Sequence, residues 1–298
     1  MSMVIVTPSF APDFIAFERL HASVLQFTDE SVRHLAIVPD RDVKKFSTLA
    51  SQRLQVVSEN DVLPRRLLLT SALARIPKLP RGFRVSAINM RRPWPPIRGW
   101  ILQQLLKFSV VSKLDEDLAL LIDSDVQLVR QVQATTFRTA DGTVRVFRQP
   151  QGIVDGMDRH QVWQRTAVRL LGVDPETDSP DYISSFTSWN PSLVRECLGK
   201  IADVNGREWF DCLSGELDFS EFILYGTYVM CLAETRHRTF VSNRSLCHSY
   251  WETTPLLEAN VPEFLAGIEP TDVAVLIQSN SGTSEHVLKL VNDQLRNL

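Results

Sequence analysis

Five consecutive apolar residues, Leu118–Ile122, run directly into Asp123-Ser124-Asp125. An unbroken run of that length suits a strand buried on both faces, which a parallel sheet provides. In open sheets of this kind ligands bind beyond the carboxyl ends of the strands. Two carboxylates at i and i+2 at such an end can both face one hard cation, Mg²⁺ or Mn²⁺, and join it to phosphate oxygens. The other reading of the tripeptide is a pair of turn aspartates bonding nearby backbone amides. Its place after a buried strand favours the cation and a diphosphate.

The segments upstream alternate in the way a parallel sheet with crossover helices requires. Residues 3–6 are expected to form a first strand ending at Thr7-Pro8-Ser9, and 13–27 a helix with Phe17, Leu20 and Val24 on one stripe. Strands follow at 35–38 and 54–57, with a helix at 65–74. Residues 81–99, rich in Arg and Pro, read as a long loop leading to a helix over 100–114. The second half is less regular, with a strand at 143–147, helices at 161–171 and 220–234, a strand at 273–277 and a helix from 284. We expect one domain over 1–298, a donor-binding half at 1–130 and an acceptor-binding half at 131–298.

Composition narrows the class. Hydrophobic residues are 44 % and charged residues 22 % of 298, which excludes a disordered chain, and the net charge of −3 does not single out nucleic acid as a partner. No secretory leader and no transmembrane stretch is legible. Four scattered cysteines without a CxxC pair suit buried thiols in a reducing compartment. The expected location is cytoplasmic.

The helix preceding the buried strand begins Arg98-Gly99-Trp100 and carries Gln103, Gln104 and Lys107. Gly99 permits close backbone approach, and a helix N-terminus offers N–H groups to an anion. Gln103 and Lys107 share a face at i, i+4, and Gln104 and Lys107 at i, i+3. A polar front on an apolar back suits a donor cleft, and equally an ordinary solvated helix. Arg91, Arg92 and Arg98, around Trp94-Pro95-Pro96, read as a solvated basic loop able to reach a diphosphate.

Asp-x-Asp after an apolar strand, behind a Gly-Trp-x-x-Gln-Gln-Leu-x-Lys helix, resembles the GT-A glycosyltransferase fold. More narrowly, the chain is similar to a family of bacterial glycosyltransferase-like proteins with four ordered motifs. Here these are Asp123-Ser124-Asp125, Thr7-Pro8-Ser9-Phe10 with Asp13 after it, Ser220-Glu221-Phe222-Ile223-Leu224-Tyr225-Gly226, and His248-Ser249-Tyr250-Trp251. The resemblance spans roughly residues 3–280. It implies an α/β, Rossmann-like, mostly parallel sheet flanked by helices, with an elaborated second half on the acceptor side.

The resemblance further implies a nucleotide-sugar donor and a glycan, lipid or small-molecule acceptor. Thr7, Pro8 and Ser9 would face the nucleotide, Asp40 the ribose or base, and Arg98, Gln103, Lys107, Asp123 and Ser124 the rest of the donor. Asp123 and Asp125 would hold Mn²⁺ or Mg²⁺, with His248 completing the shell. The surroundings of His248 depart from the Gly, Lys, Pro and Trp-rich pattern of glycogenin-like enzymes.

Glu221 is the acid/base candidate, because an inverting transfer needs a carboxylate to take the acceptor proton. Ser220-Glu221 is also a plain N-cap and first-turn acid, and a retaining reaction would need no such base. Trp189, Asn190, Asp211, Tyr250 and Trp251 are the expected acceptor-side residues, with Trp189 and Trp251 equally readable as core.

Two other readings compete. A haloacid-dehalogenase-type phosphatase also has Asp-x-Asp after a strand, but normally after the first strand and with Thr or Val where Gln127 stands. A catalytically inactive sugar-binding module is the non-enzymatic one. No G-x-G-x-x-G follows an early strand and no G-x-x-x-x-G-K-[ST] is present.

Overall fold

The computed structural model describes residues 2–49, 51–69 and 85–295. In chain order its strands are β1 (Met3–Pro8), β2 (Arg33–Val38), β3 (Leu54–Ser58), β4 (Leu67–Leu69), β5 (Val85–Asn89), β6 (Arg92–Arg98) and β7 (Leu118–Ile122). They continue as β8 (Val126–Leu128), β9 (Val144–Phe147), β10 (Phe186–Trp189), β11 (Thr239–Ser242), β12 (Cys247–Tyr250) and β13 (Ala274–Ile277).

The central sheet has the order β10-β7-β1-β2-β3, and its pairs are parallel except β10 with β7. β1 and β7 are apolar throughout their paired length and buried on both faces, which is why neither alternates. The Phe14–Phe27 helix crosses from β1 to β2 and buries Phe17, Leu20 and Val24, the expected stripe. From β1 the chain winds through β2 to β3, then returns to add β7 on the other side of β1. The strand order therefore reverses between β1 and β7, the position where open α/β sheets form a crevice. The fold is the expected α/β class, a mostly parallel sheet with flanking helices.

Three smaller sheets surround it: β4-β5-β6, β12-β13-β8 and the parallel pair β11-β9. The first corrects the loop expected at 81–99, because its described part is an antiparallel hairpin with β6 at the edge. The Asn89 side chain accepts the Arg91 N–H at 3.0 Å and closes the turn. Pro93, Pro95 and Pro96 fit a strand paired on one side only. The helix expected at 65–74 is corrected as well: Leu67 and Leu69 are buried and Leu68 exposed, the alternation of a strand. Residues 70–74 and 81–84 lie outside the described residues.

The Pro191–Asn205 helix was not legible as such. Its N-cap is Asn190, whose side chain accepts the Ser192 N–H at 2.9 Å, with Pro191 in the first turn. The helix expected at 220–234 breaks at Leu232 into Glu221–Cys231 and Ala233–Arg236. Among the described residues no helix is long and apolar enough to cross a membrane.

Candidate functional site

The crevice between β1 and β7 is tied across its floor. Ser124 Oγ lies 2.9 Å from Ser9 Oγ and also approaches the Pro8 carbonyl. The carboxyl ends of the two central strands are thus fixed to each other, and Asp123 and Asp125 flank the tie. The turn itself is closed by backbone, with the Val126 N–H donating to the Asp123 carbonyl at 3.1 Å. The Asp123 carboxylate instead turns to Lys107.

Lys107 stands on the Gly99–Val111 helix, which is buried along nearly all its length. Its ammonium donates to Asp123 Oδ1 at 3.2 Å and to Glu221 Oε1 at 3.0 Å, and lies 4.6 Å from the centre of the Phe222 ring. Gln104, one turn earlier, accepts the Glu221 backbone N–H at 2.8 Å. Ser220 caps the Glu221–Cys231 helix through the Ile223 N–H at 3.4 Å. One helix therefore fixes both the backbone and the charge of Glu221, and through the same ammonium it fixes Asp123.

Charge is unevenly balanced here. Burial lowers the Lys107 pKa, but the Asp123 and Glu221 carboxylates more than offset this, so the group is held protonated well above the ordinary lysine range. Burial, then the Asp123 charge, pushes Asp125 up to about 6, although the Ser279 N–H donates to it at 2.9 Å. Burial and Asp123 raise Asp13 as well. Asp123 thus raises the cost of charge on both Asp13 and Asp125, while the Lys107 ammonium beside it is shared with Glu221.

The remaining expected residues separate into groups. Thr7 is fully buried, and its hydroxyl lies 3.0 Å from His34 Nε2. Asp40 stands past the end of β2 and accepts the Ser58 hydroxyl at 3.1 Å. Gln103 is solvent-exposed, and it is Gln104 that shares the buried face of Lys107. With Ile101, Leu102, Leu105 and Leu106 all packed, the i, i+3 pair points inward and the i, i+4 pair does not. The Arg98 guanidinium bonds the Leu217 carbonyl and lies 3.4 Å from Asp218. Gly99 closely approaches Ser86.

On the expected acceptor side, Trp189 is 1 % exposed and stacks between Phe108 at 5.1 Å and Tyr225 at 4.9 Å, so it is core. The Asn190 side-chain oxygen is taken up by its helix cap. Asp211 lies in an ion network with Arg66 at 3.2 Å and Arg91 at 3.4 Å, and accepts from Asn89 at 2.8 Å. Tyr250 is half-buried edge-on to Phe264, while Trp251 is 51 % exposed.

His248 does not join Asp123 and Asp125, and among the described residues no group of three or more His, Cys, Asp and Glu side chains could hold a metal. Strand alternation is the reason. On β12, Cys247 packs in the same core as Val126 and Leu276, whereas the His248 ring turns to Phe264 at 4.6 Å and to Gly267. Its Nε2 is buried and has no hydrogen-bond partner among the described residues. Of the expected ligands this leaves Asp123, whose Oδ1 accepts from Lys107, and Asp125, whose Oδ2 accepts the Ser279 N–H. Two carboxylates suit an Mg²⁺ or Mn²⁺ ion whose other positions are filled by water and substrate phosphates, and not an all-protein cage. Sequence reasoning placed Gln104 on the polar front of the helix without giving it a role, missed Ser279, and left Asp13 without a role. The i, i+3 spacing to Lys107 pointed to Gln104; Ser279 carried no signal, because β13 brings it to Asp125 across 154 residues.

Fold and crevice together define an α/β protein with an acidic, lysine-clamped site at the reversal of strand order. The chain belongs to the DUF6492 family, a family of unknown function, whose model matches residues 4–289. No curated protein matches it. Among solved structures it is similar to mouse xyloside xylosyltransferase 1 in its apo form, at 10 % identity and TM-score 0.45, over 94 % of this chain and 99 % of that one. It is also similar to galactosyltransferase LgtC in complex with donor and acceptor sugar analogues, at 11 % identity and TM-score 0.48, over 98 % and 96 %. Both are glycosyltransferases.

Proposed function

We propose that this protein transfers a sugar from a nucleoside-diphosphate donor to an acceptor hydroxyl with the help of Mn²⁺ or Mg²⁺. The observation that carries the reading is the Lys107 ammonium clamped between Asp123 and Glu221 at the strand-order reversal, with a third carboxylate, Asp125, whose pKa is raised by burial and by Asp123. An excess of carboxylates at the crevice calls for a cation, and a diphosphate completes one that protein ligands leave open. We take 1–130 as the donor side and 131–298 as the acceptor side of one domain.

In this reading Asp123 and Asp125 hold the divalent ion. When bound, that ion supplies Lewis-acid stabilisation to the departing nucleoside diphosphate. Lys107 holds Asp123 and Glu221 through one ammonium, so both carboxylates are oriented before substrate arrives. Gln104 and the Ser220 cap hold Glu221 at a rigid helix end. With Oε1 engaged by Lys107, Glu221 has its other oxygen to take the acceptor proton. An inverted anomeric product assigns that role to it, and a retained one leaves it as the counter-ion of Lys107.

The test is melting of the purified protein with a panel of nucleoside diphosphates, with Mn²⁺ and with EDTA. A ligand of the native state raises the melting temperature by mass action. We expect one diphosphate to shift melting only with metal, and Asp125→Asn to abolish that shift while the protein still folds. If no diphosphate shifts melting, the transferase reading falls. If a sugar alone binds regardless of metal, the protein is a binding module.

A further inference from the structure

We infer that Arg145, Ser242 and Arg244 form a binding site for an oxyanion, a phosphate or carboxylate group, at the carboxyl end of β11. Among the described residues two lysines or arginines are buried, Lys107 and Arg145. Lys107 meets two carboxylates. Arg145, only 5 % exposed, meets none among the described residues; its Nη2 donates to Ser242 Oγ at 2.7 Å and to the Arg244 carbonyl. A second guanidinium adds to the imbalance, since burial, then the Arg244 charge, lowers the Arg145 pKa to about 10. Arg244 is itself paired at the surface with Glu269. An interior cation without a counter-charge is costly to keep.

The hydrogen bonds select the partner. Ser242 Oγ accepts from Arg145 and, at 3.3 Å, from the Arg244 N–H. Both lone pairs are then spent, and its proton has no acceptor among the described residues. Arg145 Nε and Nη1 likewise donate to nothing among the described residues. Every unspent group is a donor beside a positive charge, so the ligand that fits only accepts and is negative. A planar guanidinium fork matches phosphate and carboxylate oxygens. Asn243 and Arg244 are exposed, which opens this corner to solvent. Gln149, two residues past β9, bridges antiparallel to Asp181, and the Ser185 carbonyl four residues on accepts the Asp123 N–H at 3.2 Å. As β10 runs antiparallel to β7, β9 ends at the same sheet edge as Asp123. The inference is independent of the sugar-transfer reading.

The experiment is titration calorimetry of the full chain, in EDTA, with inorganic phosphate, glucose 6-phosphate, glucuronate and glucose. Binding is expected for the anions and not for glucose, and should weaken as salt is raised. Arg145→Lys keeps the charge but loses the fork, and should weaken binding by about tenfold. Ser242→Ala should weaken it by a smaller factor, and Lys289→Gln, at an exposed cation elsewhere, should leave it unchanged. Tighter binding of glucose 6-phosphate or glucuronate than of phosphate assigns the group to a sugar ligand; equal binding of phosphate assigns the site to the free ion. If Arg145→Lys melts below the parent protein, Ser242→Ala, which removes one hydroxyl, decides. Absence of binding by any anion, equal binding of glucose, or parent-like affinity in Ser242→Ala overturns the inference. A metal-dependent nucleotide shift retained in Ser242→Ala keeps the two proposals separate.

Discussion

Lys107 Nζ lies 3.0 Å from Glu221 Oε1, joining two residues that are 3 % and 4 % exposed and stand 114 residues apart. A lysine enters an interior only where carboxylates meet it, so each member of this pair is the condition for burying the other.

Removing one partner should therefore cost more than removing both. Lys107→Met strands a buried carboxylate and is expected to destabilise the fold by about 3–5 kcal/mol. Lys107→Met/Glu221→Leu should recover much of that loss in urea denaturation. A double variant as unstable as the single would mean that packing, not charge, governs the site.

Asp125 titrates in the opposite sense from a salt-bridged acid. Its pKa is raised from 3.8 to about 6, so the folded state holds the proton more tightly than the unfolded one. Its contribution is fully present below about pH 3.8 and is lost as pH rises through about 6. Asp125→Asn should melt above the parent protein at pH 8, by at most about 3 kcal/mol of stability, and match it at pH 4. Equal melting at both pH values would place the carboxylate in ordinary solvent.

A buried histidine pair gives the acid limb. His21 Nδ1 and His34 Nδ1 lie 3.0 Å apart beneath Thr7. Burial, then Arg53, lowers His21 to about 4; burial, then His21 and Arg53, lowers His34 well below 6.5. Both stay neutral in the fold and take up protons on unfolding. Stability present above pH 6.5 is therefore lost as pH falls toward 4, at about 1.4 kcal/mol per pH unit for each ring. His21→Gln should make stability against pH shallower over that window; an identical slope would show that other groups set it.

Trp189 and Trp251 should respond differently to truncation. Trp189→Ala is expected to cost about 3–5 kcal/mol, as for a large core aromatic. Trp251→Ala should change stability by no more than about 0.5 kcal/mol. A well-folded Trp189→Ala with weakened acceptor binding alone would return Trp189 to the site.

Much of this was legible because the relevant signals are local. Leu118–Ile122 fits a strand buried on both faces, which puts Asp123-Ser124-Asp125 at its carboxyl end. The Phe17, Leu20 and Val24 stripe set the first crossover in the same way. What escaped depended on partners far off in sequence. Trp189 reads equally as a sugar platform or as core until Phe108 and Tyr225 close on it. Gln103 and Gln104 are adjacent and chemically identical, and only the packing of the whole helix decides which one turns inward. The hairpin at 85–98 was hidden by its own prolines, which are acceptable solely because β6 pairs on one side. His248 failed as a ligand through a one-residue phase, since its strand gives the neighbouring face to Cys247.

The stretch from Ser220 to Gly226 divides its duties along its length. Ser220 and Glu221 reach the crevice, whereas the Tyr225 hydroxyl accepts the Asn190 N–H at 3.1 Å and a Cβ at Gly226 would come within 2.3 Å of the Tyr182 ring. A pattern search built on the full motif thus selects first for chains able to seat this helix against Tyr182. Relatives found that way share an architecture by construction. Whether they share a chemistry turns on two further letters that must be asked for separately, a lysine at 107 and an acid at 123.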